Sequence, residues 1–108
     1  MRKIVSALLL TISLTLVGSS IALATGKNYY QLLLMTIKVH HCEEPTWHVN
    51  GSLYKGGLGW RPATWTTFRL PWMPLTMNLA TIREQVIAMS RFAAKYGWPD
   101  QNGCTGGY

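Results

Sequence analysis

The most regular pattern of apolar and polar positions lies in the segment TIREQVIAMSRFAAKYG, near the C-terminus. Thr81 and Glu84 have the spacing of a capping box, in which two side chains bond the free backbone N–H groups at a helix start. Gly97 and Pro99 follow, and both residue types are common just beyond a helix end. The sequence therefore predicts a helix between Thr81 and Gly97. Its apolar face repeats at steps of four and three residues: Ile82, Val86, Met89, Ala93 and Tyr96.

A second helix is predicted in the segment NYYQLLLMTIKVHHCEE. Pro45 ends it, because the residue before a proline is pushed out of the α-helical region. Glu43 and Glu44 are therefore predicted at a helix C-terminus, where the helix dipole disfavours negative charge. We expect a carboxyl there to have a raised pKa, more so if it is partly buried. The helix face is marked by three- and four-residue steps: Leu32, Leu33, Thr36, Ile37 and His40.

Turn signals replace this periodicity in the middle of the chain. NGS and KGGLG flank Leu53 and Tyr54, a pattern that predicts a small β-hairpin or an irregular turn region. RPATWTTF predicts a short helix with Pro62 at its first position, which proline favours. RLPWMPLTMN holds two prolines and is predicted to be an irregular surface loop.

The first 24 residues have the organisation of a secretory signal. MRK supplies positive charge, IVSALLLTISLTLVG is an uncharged apolar run, and Ala22 and Ala24 form a small-x-small cleavage signal. An uncleaved anchor is the alternative, because the uncharged stretch is long enough to span a bilayer. We interpret residues 1–24 as a signal peptide and residues 25–108 as one exported domain.

Export places the two cysteines, Cys42 and Cys104, in an oxidising compartment. A domain of this size buries only about 60% of the surface of its unfolded chain and is marginally stable without a cross-link. A bridge that closes a loop of about 60 residues contributes roughly 4 kcal/mol in the chain-entropy model. We therefore expect a disulfide between Cys42 and Cys104.

The exported domain is basic. Arg2 and Lys3 belong to the signal, which leaves eight basic and four acidic residues and a net charge of about +4. Such a charge attracts a domain to anionic polymers and surfaces. The basic residues are scattered and form no Lys/Arg-rich block, so we expect no nucleic-acid partner.

The segment HHCEEPTW holds the densest group of chemically active side chains. His40 and His41 are adjacent, and adjacent helical residues point about 100° apart, so they do not converge on a metal as an i, i+4 pair does. A disulfide-bonded Cys42 is neither a metal ligand nor a nucleophile. We therefore expect no metal and no cofactor. Glu43 and Glu44 remain as acid–base candidates, with two solvated glutamates as the alternative.

The other two acids of the exported domain have structural interpretations. Glu84 is predicted to cap a helix and Asp100 to lie in a turn. Aromatic residues follow the Glu43–Glu44 pair among glycines, and aromatic faces with polar edges suit carbohydrate rings. A small core also needs tryptophan as volume, so we expect at least two of these five residues in the core: Trp47, Tyr54, Trp60, Trp65 and Trp72.

Six motifs occur in a fixed order: CE at 42–43, W at 47, YKGGLGW at 54–60, TW at 64–65, REQVIAM at 83–89 and YGWPDQNGC at 96–104. This ordered set resembles the resuscitation-promoting factor and transglycosylase-like domains of actinobacteria, in the lysozyme-like superfamily. The match covers nearly all of residues 25–108. The ordered set is much more specific than any single motif.

The resemblance implies a small lysozyme-like fold, α+β but mainly α, with about three helices, a short β-hairpin and one disulfide. It implies a secreted, cell-wall-associated enzyme that cleaves the MurNAc–GlcNAc β-1,4 bond of peptidoglycan. Glu43 takes the position of the catalytic acid, with Glu44 as the alternative. With the aromatic residues added, the expected substrate-binding residues are Trp47, Tyr54, Gly57, Trp60, Thr64 and Trp65.

The implied mechanism uses a single acid. Glu43 would protonate the glycosidic oxygen and then take a proton from the sugar's own 6-hydroxyl, a lytic cleavage that forms an anhydro sugar. A hydrolase usually needs a second carboxylate as base or nucleophile, and the scarcity of acids favours the lytic route. The alternative function is a catalytically weak or inactive module that binds cell-wall glycan or a partner protein.

The implied partners are peptidoglycan glycan strands, with another cell-wall enzyme as a further candidate. We expect a monomer that contacts a membrane only through an uncleaved N-terminus. The chain departs from the family pattern Cys-Glu-Ser/Thr-Gly-Gly-Asn-Trp, since CEEPTW is one residue shorter and has a proline and no glycine. Gly59 replaces a glutamine that is expected to contact sugar. Lys55 replaces a tyrosine, and its ammonium is expected to meet a peptide or lactyl carboxylate.

Overall fold

The computed structural model describes residues 26–105. The predicted signal peptide, residues 1–24, lies outside the described residues. Within residues 26–105, no helix has the length and apolar character needed to cross a membrane. The described elements are, in chain order, α1 (Tyr29–Glu43), α2 (Pro62–Phe68), a short 3-10 helix (Met77–Leu79) and α3 (Ile82–Tyr96).

Helix α1 places Glu43 on its buried side. The helix begins with a capping box, in which Asn28 Oδ1 accepts from Gln31 N at 2.9 Å and Gln31 Oε1 accepts from Asn28 N at 3.0 Å. It ends at Glu43, as predicted from the proline that follows. Its buried residues, Leu32, Thr36 and Val39, are spaced by four and three. Glu43 comes four residues after Val39 and therefore lies on the same face.

Helix α3 packs against both α1 and α2. Helix α3 has the predicted capping box of Thr81 and Glu84, and it ends at Gly97. The central residues of its predicted apolar face are buried, whereas Ile82 and Tyr96 at the two ends are exposed. Helix α2 begins with the predicted Pro62 and packs on α3. The core cluster includes Leu58, Trp60, Trp65, Phe68, Met77, Met89 and Phe92.

Two of the five aromatic residues, Trp60 and Trp65, belong to this core, which confirms the expectation that at least two would. The predicted β-hairpin is not formed in the described part of the chain. Lys55 makes only two isolated antiparallel bridges there, with Asn50 and with Trp60. A turn over residues 56–59 lies between the two ends of the second bridge, so no run of extended residues is long enough for a strand.

Gln85 ties α3 to two loops. Its side chain is fully buried, and Oε1 accepts a hydrogen bond from Gly57 N at 2.8 Å. Nε2 donates to Trp47 O at 2.9 Å and to Ala80 O at 3.1 Å. Each of these bonds satisfies a backbone group that has no partner in a helix or sheet.

The predicted disulfide between Cys42 and Cys104 is present, with Cα atoms 5.3 Å apart. It joins the end of α1 to the C-terminal turn. Gln101 Nε2 donates to Met35 O at 3.0 Å, so the turn is also bonded to the middle of α1. The structure is thus a small, mainly helical fold with three helices and one disulfide in its described part.

Replacing Gln85 by alanine should lower the free energy of unfolding by about 2–4 kcal/mol, because the change removes three hydrogen bonds and leaves buried backbone groups unpaired. Urea unfolding at neutral pH measures this. Gln31→Ala is the matched control, since it removes an exposed capping contact and should cost only about 0.5–1 kcal/mol. Equal losses in the two variants would contradict the role of Gln85 as a buried link.

Candidate functional site

Glu43 and Glu44 lie where α1 ends and the chain turns away. Glu43 is the last helical residue, directly after Cys42 of the disulfide, and its side chain is partly buried. Glu44 has extended backbone, and its N–H donates to His40 O at 3.1 Å. The disulfide and this bond fix the backbone on both sides of Glu43.

Gly59 lies against this acid pair. A Cβ atom added at Gly59 would be 3.3 Å from Glu44 Cγ and Oε2 and 3.6 Å from Glu43 Cβ. The backbone of Gly59 also has a φ of +64°, in the left-handed region that favours glycine. A glutamine, which the family that the motifs resemble has at this position, would therefore be strained here. The departure from the family pattern is consistent with the local backbone conformation.

Asp100 is part of the site, although its sequence context predicted only a turn. It lies in the predicted turn, but its side chain is buried and hydrogen-bonds with Glu43. Asp100 Oδ1 also accepts from Thr105 N at 2.8 Å and from Thr105 Oγ1 at 3.2 Å. The sequence did contain a signal, because Glu43 directly follows Cys42 and Asp100 precedes Cys104 by four positions. The predicted disulfide therefore places the two acids at the same end of α1.

The pKa of Glu43 is raised from its ordinary value of 4.5 to about 7. Burial is the largest cause, followed by the hydrogen bond with Asp100 and by the negative charges of Asp100 and Glu44. The direction agrees with the expectation from the sequence, although the causes are burial and neighbouring carboxyls. A carboxyl that titrates near neutral pH can both donate and accept a proton there. Glu43 is therefore not an ordinary solvated glutamate.

Trp47 and Gly57 lie together beside α1. The Trp47 ring stacks on His40 with centroids 3.9 Å apart and planes 15° apart. His40 Nδ1 donates to Gly57 O at 2.8 Å, which fixes the tautomer of the imidazole. A Cβ atom at Gly57 would lie 2.4 Å from the Trp47 ring, so only glycine fits. Gly57 is buried, and its contacts position the Trp47 loop.

The other expected substrate-binding residues have different surroundings. Trp60 and Trp65 are 2% and 1% exposed, so neither ring offers a face to a ligand in this structure. Tyr54 is 44% exposed, and the Arg61 guanidinium lies 5.8 Å from the centre of its ring. Thr64 lines a cleft of about 460 Å³ between α2 and α3, together with Phe92.

Lys55 does not present a free ammonium group. Its Nζ donates to Asn50 Oδ1 at 2.6 Å and to Gly51 O at 3.1 Å, so the charge is held by its own loop. Across residues 26–105, no group of three or more His, Cys, Asp or Glu side chains is arranged to hold a metal ion.

No family model, no curated protein and no solved structure matches this chain. The family resemblance consequently rests on the sequence motifs, and function is inferred from those motifs together with the geometry around Glu43.

The melting temperature should fall as the pH rises from about 4.5 to about 7, the window set by the raised pKa of Glu43. The folded state binds the Glu43 proton more tightly than the unfolded chain does. The resulting stabilisation of the folded state is complete below about pH 4.5 and is lost as the pH rises through about 7. Calorimetry of the unmodified protein and of Glu43→Gln measures the effect, which should be smaller in the variant.

Glu84→Gln is the matched control, because it removes the same charge at a distant helix cap and should keep the original pH dependence of the melting temperature. If the melting temperature of Glu43→Gln depends on pH as steeply as that of the unmodified protein, Glu43 is not the group that carries this proton.

Proposed function

We propose that the protein is a secreted peptidoglycan-cleaving enzyme of the lytic transglycosylase type, acting on the MurNAc–GlcNAc β-1,4 bond. The observation that carries this proposal is the environment of Glu43, a partly buried carboxyl with a pKa of about 7. Glycoside cleavage needs a carboxylic acid that still holds its proton near neutral pH. An ordinary glutamate would be ionised there and could not protonate a leaving group.

The reaction divides into two proton transfers at Glu43. In the first, the Glu43 carboxyl gives its proton to the glycosidic oxygen, and the bond to C1 of MurNAc breaks with its electron pair going to that oxygen. In the second, the 6-hydroxyl oxygen of the same MurNAc bonds to C1 and loses its proton to the Glu43 carboxylate. The product is a 1,6-anhydro sugar, no water is consumed, and Glu43 is protonated again.

The placement of the carboxyls supports this lytic route. Retaining glycosidases hold two carboxyls about 5–5.5 Å apart and inverting ones about 6.5–9.5 Å apart, on opposite sides of the bond. Asp100 instead hydrogen-bonds with Glu43, which is closer than either arrangement and leaves no space for a sugar between them. Glu44 neighbours Glu43 along the chain and does not face it across a groove. An intramolecular hydroxyl as nucleophile needs no second carboxylate.

The glycan strand is proposed to contact the accessible aromatic rings. Tyr54 is exposed and can stack on a sugar ring, whereas Trp47 is half-buried with one ring face on His40 and can offer only its remaining surface. Trp60 and Trp65 are proposed to have an indirect role: from the core, they hold the turn over residues 56–59 and helix α2 in place. The enzyme is proposed to work outside the cell, at the cell wall, where its positive charge favours an anionic polymer.

A second candidate is a module that binds glycan, or another cell-wall enzyme, with little turnover. The burial of Trp60, Trp65 and Gly57 favours it, because three expected substrate contacts are not at the surface. The same assay separates the two candidates.

Purified protein incubated with peptidoglycan should release muropeptides that end in 1,6-anhydro-MurNAc, detected by mass spectrometry. Glu43→Gln should lower the rate by at least about 100-fold, because the acid is lost. Glu44→Gln is the matched control and should keep the rate within about threefold of the unmodified protein, since Glu44 only adds charge near Glu43.

If the unmodified protein binds peptidoglycan but releases no product, this result would contradict the enzyme function and support the binding module. A loss in Glu44→Gln with full activity in Glu43→Gln would move the acid role to Glu44. Products with a reducing MurNAc end would indicate hydrolysis instead of lytic cleavage.

A further inference from the structure

We propose that Asp100 is a positioning residue that shares one proton with Glu43, so that the two carboxyls act as a pair in glycan cleavage. This inference rests on the proposed role of Glu43 as the acid. It assigns a function to a residue that the sequence placed only in a turn.

The Asp100 side chain is held in one orientation. It is 3% exposed, and Thr105 donates to its Oδ1 from both the backbone N and the hydroxyl. The Asp100 N–H donates in return to Thr105 Oγ1 at 3.1 Å. Asp100 has a φ of +60°, which is uncommon for a residue with a side chain and is maintained by these bonds.

The turn that carries Asp100 is fixed to α1 at two points. Cys104 is bonded to Cys42, the residue before Glu43. Gln101, the residue after Asp100, bonds to Met35 O two turns earlier in the helix. These two links hold the turn, and with it Asp100, beside the end of α1.

Two carboxyls can hydrogen-bond to each other only when one of them carries a proton. Asp100 Oδ1 accepts two hydrogen bonds from Thr105, and these favour the ionised form of Asp100. The shared proton is therefore assigned to Glu43, which donates it to Asp100. This is the arrangement that a general acid needs at rest.

The charges around Glu43 also favour protonation. Asp100 acts on it from the C-terminal turn and Glu44 from the end of its own helix, and both are negative. The loop that lies against Glu43 and Glu44 contributes Gly59, which has no charge. Asp100 also lines a surface depression together with Lys38 and His41 of α1.

Asp100 would contribute to both proton transfers. Before cleavage, its negative charge keeps the proton on Glu43. After Glu43 has given that proton to the glycosidic oxygen, two carboxylates lie side by side, and their repulsion makes Glu43 a stronger base. Glu43 then takes the proton of the sugar 6-hydroxyl, and the pair ends with the one proton with which it began.

The test is to follow the side-chain carboxyl carbon of Glu43 by NMR from pH 4 to 9 in the unmodified protein and in Asp100→Asn. Asparagine tolerates the left-handed backbone and keeps an oxygen for Thr105, so the turn should be retained. The Glu43 midpoint should fall by about one pH unit or more, because a negative neighbour is replaced by an amide that can donate to the carboxylate.

The cleavage rate of Asp100→Asn at neutral pH should fall together with the Glu43 midpoint. With a midpoint one unit lower, Asp100→Asn should release anhydro-muropeptides about fivefold more slowly at pH 7 and at nearly the unmodified rate at about pH 5. A purely structural role for Asp100 would lower the rate equally at both pH values. Thr105→Val, which keeps Asp100 but removes the hydroxyl, should lower the Glu43 midpoint by a smaller amount.

Glu84→Gln is the control for a change of net charge and should leave the Glu43 midpoint unchanged. An unchanged midpoint in both Asp100→Asn and Thr105→Val would overturn the proposed pair. If the unmodified protein releases no anhydro product at any pH but Asp100→Asn still lowers the midpoint, the carboxyl pair stands and the proposed enzyme function fails.

Discussion

The disulfide between Cys42 and Cys104 is the constraint on which the remaining architecture of the site depends. It joins positions 62 residues apart and holds the C-terminal turn against the end of α1. A loop of this length gives a stabilisation of about 4 kcal/mol in the chain-entropy model, which is large for a domain with a small core. The same bond holds the turn that carries Asp100 beside Glu43, so one cross-link serves both the stability of the domain and the proposed chemistry.

Buried polar contacts hold the loops that lie near Glu43. Gln85 holds the Trp47 and Gly57 loops on α3 through backbone bonds, and Gly59 brings the chain against Glu43 and Glu44. The backbone therefore approaches the acid pair closely, at a left-handed residue that favours glycine. Burial is the largest cause of the raised pKa of Glu43, and the hydrogen bond with Asp100 of the C-terminal turn is the next.

The elements that depend on local signals could be predicted from the sequence. The capping box of α3, the proline that follows α1 and the proline that begins α2 act within a few residues, and each helix has the predicted position. The short β-hairpin is not formed in the described residues, and the two isolated bridges of residues 50–60 agree with the alternative of an irregular turn region. The composition of this segment did not reveal how little extended chain remains between its turns. The Glu43–Asp100 contact depends on the path of the whole chain, and short-range patterns carry no information on it. Only the cysteine pairing offered a route to it. The burial of Trp60 and Trp65 likewise depends on packing between distant elements.

The most direct test of this account is the titration of Glu43 in a chain without the disulfide, Cys42→Ser with Cys104→Ser, at a temperature where circular dichroism shows that the helices remain. With the C-terminal turn released, the Glu43 midpoint should fall from about 7 towards the ordinary 4.5. A folded variant in which Glu43 still titrates near 7 would show that neither the disulfide nor the turn it holds is responsible for the proton on Glu43.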